Sequence, residues 1–333
     1  MDSTIASRFN DDLLAAACRR YGIPSGSLKL LDGFESIIYE FTRPDGDFIL
    51  RIGHSNRRTP ALICGEVDWI NTLADAGVGV ARAIYSRSGD LVEPLADGHG
   101  GQFLCTAFVK ARGCTAREEH FNERLYLNYG QLLGRMHAAA KTYQPSNPAW
   151  RRYTWDSEEN NTPDRQLPPD DHALRARYKA VFEHLRSLSR DSEGYGIIHQ
   201  DAHLGNLFVD EDYALTLFDF DDCVYGHFIY DIAMVLFYIS MHDEEDPARF
   251  IAAFMPVFLQ GYRQHNRLHG RWLAEMPHFL KLREIDLFAA ILSTYGETPR
   301  DEWCAGYMQG RRAKIENDIP YLAFDWDSLL PLL

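Results

Sequence analysis

Apolar side chains recur at helical spacing between residues 8 and 22 (Leu13, Leu14, Ala17, Cys18, Tyr21), and Gly22 with Pro24 ends the pattern. A short amphipathic helix is therefore expected to open the chain. From Leu28 the texture changes to strand: LKLLDGF, SIIYEFT and DFILRIG are β-branched and aromatic runs. The turn at Pro44, Asp45 and Gly46 between the last two predicts an antiparallel hairpin. Helical period returns over 60–76, where Ile63, Val67, Ile70 and Leu73 share a face and Gly77 stops the helix. VARAIYS and QFLCTAFV read as two more strands. Together these runs predict a five-stranded antiparallel sheet with one helix inserted after the third strand.

Lys110 to Thr115 (KARGCT) separates this tract from a long helical one and reads as a junction. Residues 124–142 place Leu125, Tyr129, Leu132, Leu133 and Met136 on one amphipathic face. Pro145 to Asp171, rich in Pro, Asn and Asp, is expected to be an exposed excursion. Helical period resumes at 173–188, 229–241, 247–264, 275–294 and 301–317, with no internal repeat or low-complexity tract. The fold class expected is α+β in two lobes. A small sheet lobe spans 1–109 with its leading helix at 8–22, a hinge spans 110–115, and a helical lobe spans 116–333.

Composition narrows the function. At 333 residues and 46% hydrophobic, the chain can bury a large core, and its length favours two lobes. No apolar run approaches the roughly 20 residues of a membrane span. The first residues lack the pattern of a signal peptide, so a cytoplasmic location is expected. Six scattered cysteines form no CxxC pair and read as reduced thiols. A net charge of -14 argues against nucleic acid and anionic membranes as partners, and favours a cationic substrate by steering.

The candidate chemistry concentrates in Ile197–Tyr238, where His199, Asp201, His203, Asn206, Asp219, Asp221, Asp222 and Asp231 lie among apolar runs. Buried carboxylates need a metal, a cation or a backbone cap. Asp201 and Asn206 stand five apart after the run YGIIH, and Asp219 follows 18 beyond Asp201 at the end of ALTLFD. An amide oxygen and a carboxylate suit Mg²⁺, and a metal-free carboxylate can take a proton from an attacking hydroxyl. That is the working set for phosphoryl transfer, with Asp201 as the base and Asn206 and Asp219 as metal ligands.

HQDAHLGN followed by LFDFDD resembles the catalytic loop and metal-binding motif of the kinase fold. With YDIAM opening the next helix and GQLLGRMH upstream, the chain resembles the aminoglycoside phosphotransferase and choline kinase branch from about residue 28 to about 320. The resemblance implies ATP, with GTP as the alternative nucleotide, and Mg²⁺ as cofactors. It implies that Arg51 in FILRI holds phosphates and pairs with Glu66. Backbone near Gly33 to Ser36 would cover the phosphates although DGFES offers one glycine, and adenine would meet Thr106 to Val109, including Phe108. The acid corresponding to Asp231 bonds the catalytic-loop backbone, whereas its position at a helix start also suits an N-cap. His199 reads as a brace for the loop. His203 either shapes the loop or faces the pocket. Asp221 and Asp222 either lie behind the metal, meet a substrate amine, or are solvated strand-end acids. Glu284, Asp286, Tyr295 and Glu297 either line an acceptor pocket or form a solvated helix face. Phe228, Tyr230, Phe237 and Tyr238 read as helix packing. The expected acceptor is a hydroxyl of a small molecule, with an amino alcohol, amino sugar or hydroxy amino acid favoured by charge. The alternatives are a bacterial stress-response Ser/Thr protein kinase and a nucleotide-binding pseudokinase without turnover. Monomer and homodimer fit equally.

Overall fold

The computed structural model describes residues 3–31, 33, 35–242, 246–299 and 301–333. They form two compact units. The first comprises Met1–Cys114, Tyr143–Arg152 and Phe208–Asp221, and the second Thr115–Thr142, Tyr153–Leu207 and Asp222–Leu333.

In the first unit, α1 (Asp11–Tyr21) starts where the Asn10 side chain accepts Leu13 N and ends at Gly22, whose φ of 64° is open to glycine at little cost. The sheet contains β1 (Lys29–Leu31), β2 (Ile37–Arg43), β3 (Gly46–His54), β4 (Ala83–Ile84), β5 (Glu93–Ala96) and β6 (Gln102–Val109), with α2 (Pro60–Asp75) following β3. Its order is β1-β2-β3-β6-β4, and β5 also pairs with β6. The sheet thus has six strands, not five. VARAIYS contributes only Ala83 and Ile84, and the extra strand EPLA is too short, and too interrupted by Pro94, to show a period. Phe41, Leu50, Ile52, Phe103 and Ala107 are fully buried beneath α1 residues Ala17 and Tyr21. Later segments join this unit by specific contacts. Tyr143 donates its hydroxyl to Asp68 at 2.7 Å, Trp150 O occupies the space a Cβ on Gly65 would need, and Leu217 bridges to Val80.

The second unit is built on α3 (Glu123–Ala140), α4 (His172–Arg186), α5 (Phe228–Ile239), α6 (Pro247–Tyr262) and α7 (Arg271–Tyr295). Between α4 and α5, β7 (Tyr195–Ile198) pairs antiparallel with β8 (Val224–His227). That ladder sets the start of the loop after Ile198 beside the start of α5. Helix α5 is apolar all round and almost wholly buried, as a central helix must be. Two expectations change here. Residues 145–171 are not an exposed excursion, because Trp155, Pro163 and Leu167 are buried and Thr154 bridges to Tyr225. The polar count of that segment hid its few anchoring apolar residues. The helix expected at 301–317 is two, Glu302–Met308 and Arg311–Glu316, broken at Gly310 with φ 66°. No helix among the described residues is long and apolar enough to cross a membrane.

Helices α3 and α6 meet backbone to backbone through glycines. A Cβ on Gly130 would lie 1.9 Å from Phe258 O, and one on Gly261 2.0 Å from Leu127 O. Gly130→Ala is therefore expected to destabilise the protein by roughly 1–3 kcal/mol, the usual range for overpacking, in urea unfolding. Gly306→Ala, with nothing within 4 Å of the new methyl, should cost nothing measurable.

Candidate active site

The loop His199–Asn206 hangs from the end of β7, and a carboxylate from α5 holds its first turn. Asp231 is fully buried and accepts His199 N at 2.9 Å and Gln200 N at 2.7 Å. Its Oδ2 lies 3.1 Å from His137 Nε2, and His137 Nδ1 lies 2.9 Å from the Tyr262 hydroxyl. Asp231 does not cap α5; that position belongs to His227, which makes no side-chain cap bond. Gln200 adopts φ 72°, Asp201 N donates to His199 Nδ1 at 3.2 Å, and the buried Tyr129 hydroxyl donates to Ala202 O. His199 is itself fully buried. Buried backbone donors demand partners, so these bonds leave the loop one conformation.

Asp201 projects from this frame. Its Oδ1 accepts Arg283 Nη2 at 3.1 Å, and its Oδ2 lies 3.2 Å from Asn206 Nδ2 and 3.3 Å from His203 Nε2. Burial raises the carboxyl's proton affinity, but the His203 hydrogen bond and the Arg283 charge outweigh it and hold Asp201 below the usual carboxylate range. Arg283 also bonds Asp286 at 2.8 Å, donates to the Tyr238 hydroxyl and lies 5.3 Å from that ring. Burial pushes the Asp286 carboxyl up despite Arg283. His203 packs on Tyr238 with centroids 4.5 Å apart. Asn206 Nδ2 is committed to Asp201, including its carbonyl oxygen at 3.0 Å, which leaves Oδ1 as the amide atom that suits a cation. Asp219 follows the strand Leu215–Leu217 with φ 63°, a left-handed conformation that aspartate tolerates. An amide oxygen and a carboxylate are the hard donors that Mg²⁺ prefers, so the residues fit that ion.

In the first unit, Arg51 sits mid-strand on β3 between Ile38 and Thr106. Its guanidinium makes two parallel 2.7 Å bonds to the fully buried Glu66 carboxylate of α2, and lies 5.0 Å from the Phe108 ring. A two-pronged bond of this kind is the geometry arginine offers and lysine cannot. Ser36, Arg51, Arg57, Arg58 and Asp221 line one cavity. Gly33 is needed there, because a Cβ would lie 2.2 Å from Ser36 O. The neighbouring Asp32 and Phe34, within the expected phosphate-covering loop, lie outside the described residues.

Several residues escaped the sequence reading. Arg283 carries no motif, and it sits in the run KLREIDLF, where four of the eight residues are charged, so nothing local sets it apart. Tyr238, expected only to pack, also meets Arg283 and His203. Arg57 and Arg58 pair with Asp221, Arg57 also with Glu35, and the dipeptide ahead of α2 was their only mark. Glu284 is not on a solvated face. It is fully buried and bonded to Lys281 and, at 2.9 Å, to Arg311. Glu297 pairs with Arg312 at 2.8 Å and Tyr295 is exposed.

Residues 28–268 match the phosphotransferase enzyme family. The chain belongs to that family. An amicoumacin kinase of Bacillus subtilis (strain 168) is 34% identical over 328 residues, 96% of each chain. A solved amicoumacin kinase in complex with AMP-PNP, Ca²⁺ and Ami superposes with a TM-score of 0.93 at 32% identity, covering 99% of this chain and all of that one. A microcompartment-associated aminopropanol kinase shares the fold, with a TM-score of 0.71 at 22% identity over 92% of this chain and 97% of its own. This member of the phosphotransferase family is a kinase that uses ATP and a divalent metal to phosphorylate a hydroxyl of a small molecule. Its fold is the mixed one expected, an antiparallel sheet with a helical lobe.

Asp231→Ala would leave two buried amide donors without their acceptor. The expected loss is roughly 2–5 kcal/mol by the cost of unsatisfied groups. Thermal melting of the variant, alongside Asp231→Asn as the smaller change, checks this.

Proposed function

We propose that the acceptor is an amine-bearing hydroxyl compound of the amicoumacin kind, and that Asp201 orients its hydroxyl and takes the proton. The observation that carries this reading is the end-to-end similarity to an amicoumacin kinase, 34% identity over 96% of both chains. The setting of Asp201 supports it. Three donors from Arg283, Asn206 and His203 keep the carboxylate ionised and restrict its rotation. His203, Tyr238 and Asp286 stand around Arg283 and Asp201, and the two carboxylates give an acceptor's ammonium group partners beside the reacting oxygen.

Other residues take the remaining work. Asn206 Oδ1 and Asp219 would hold Mg²⁺, which when bound would neutralise charge on the nucleotide phosphates. Arg51, kept in place by Glu66, contacts phosphate oxygens, with backbone from Gly33 to Ser36 beside them. Thr106 to Val109 offer main-chain groups to the nucleotide base. Asp231 and His199 keep the loop in shape, and Asp221, paired with Arg57 and Arg58, supports the phosphate side. Phosphoryl transfer through a loose transition state asks mainly for positioning and charge neutralisation, which these groups supply.

The test is ATP turnover with amicoumacin, amino alcohols, amino sugars and hydroxy amino acids offered in parallel. Turnover is expected with an amine-bearing member. Phosphate appearing on protein instead of on dialysable compounds would move the reading to a protein kinase. Asp201→Asn should lower kcat about 100-fold or more, in the range of general base catalysis, while nucleotide affinity is kept. Arg283→Met should lower kcat/KM about 100-fold by loosening Asp201, with partial recovery in Arg283→Lys. An Arg283→Met enzyme with unchanged kinetics would remove Arg283 from the site.

A further inference from the structure

Helices α4 and α7 bring two imidazoles and a carboxylate together outside the catalytic loop. His184 Nε2 lies 2.7 Å from Glu275 Oε2, and His278 Nδ1 lies 3.2 Å from the same oxygen. The two rings stand 4.1 Å apart, centroid to centroid. One nitrogen from each histidine and one oxygen of Glu275 all fall within 4.8 Å of one another, the sole such group of histidine, cysteine and acidic side chains among the described residues. Glu275 and His278 are three apart on α7 and so share a face, which His184 meets from the last turn of α4.

A hydrogen-bonded surface cluster explains only part of this geometry. The His184–Glu275 contact is a good hydrogen bond. The buried Nδ1 of His278 lies 3.2 Å from the same carboxylate oxygen but without the alignment of a well-formed hydrogen bond. A cation seated between that nitrogen and the carboxylate would satisfy both.

We propose that His184, Glu275 and His278 bind one transition-metal dication of the Zn²⁺ class and tie α4 to α7. Two imidazole nitrogens with one carboxylate oxygen suit Zn²⁺ and disfavour Mg²⁺, which prefers an all-oxygen shell. Three protein ligands leave a fourth position for water. The three side chains are partly open to solvent, which gives the ion a way in. The site lies within the second unit and shares no residue with the nucleotide-bound metal. Arg283 follows His278 by five residues on α7, about 7.5 Å along the helix axis, so the ion also anchors the segment from which Arg283 reaches Asp201.

The test uses the full chain, stripped with a chelator, titrated with Co²⁺ and then Zn²⁺ in the absence of nucleotide. One equivalent of Co²⁺ should give visible d–d absorption without the near-ultraviolet band that a thiolate ligand would add, and Zn²⁺ should displace it. His184→Asn and His278→Asn should each weaken Zn²⁺ binding at least tenfold, and Zn²⁺ should raise the melting midpoint of the wild type alone. Glu275→Gln serves as a third variant should either histidine change reduce folding, which circular dichroism reports. The proposal is overturned if no stoichiometric uptake occurs, if the thiolate band appears, or if the folded variants keep wild-type affinity.

Discussion

The buried carboxylate of Asp231 is the point on which the loop His199–Asn206 hangs. It takes two consecutive backbone N–H groups, His199 and Gln200, where the chain leaves β7 and turns through a positive φ. Without an acceptor at that place the turn would strand two amide donors in an apolar interior, a cost larger than most single contacts contribute. The carboxylate in turn depends on His137 of α3, and His137 on Tyr262 of α6. The close glycine contact between α3 and α6 therefore reaches the loop through hydrogen bonds. The shape of the loop that carries Asp201 begins with helix packing several residues away.

The first unit uses the same logic with the opposite charge. Arg51 is buried mid-strand, and its charge is sustained by both oxygens of Glu66. Such a pair contributes little net stability, because desolvating two ions offsets most of their attraction. What it fixes is direction: a planar guanidinium bonded on one edge has only its remaining N–H groups to offer. Arg57 and Arg58 are held likewise by Asp221. The cations lining this cavity are all tethered to acids, which keeps the lining nearly neutral.

Periodicity revealed the long helices within a few residues, because each buries one continuous face. The loop was legible for a different reason. Asp201, His203 and Asn206 are close in sequence, so short-range spacing was enough to relate them, and they are in contact. Arg283 was not legible, since its partner lies 82 residues away and nothing local marks an arginine that will meet it. Strand β5 was missed because four residues with a proline carry no usable alternation. The buried part of 145–171 was missed because polar residues outnumber the few apolar anchors, such as Trp155 against Phe182, that decide its place. Local pattern reports what neighbours in sequence do, and pairings across the fold leave no such trace.

The attachment of Arg283 to α7 has an evolutionary consequence. The late helices of this chain carry few of the motifs that define the reaction, so drift and selection for new acceptors can act on them with comparative freedom. Yet one of their side chains bonds Asp201 in the loop His199–Asn206. If Asp201 activates the acceptor as proposed, a lineage that reshapes α7 also perturbs that carboxylate, so substrate range and turnover would change together. Recruitment to a new acceptor would then proceed through weak intermediates, unless Arg283 is kept while the residues around it vary.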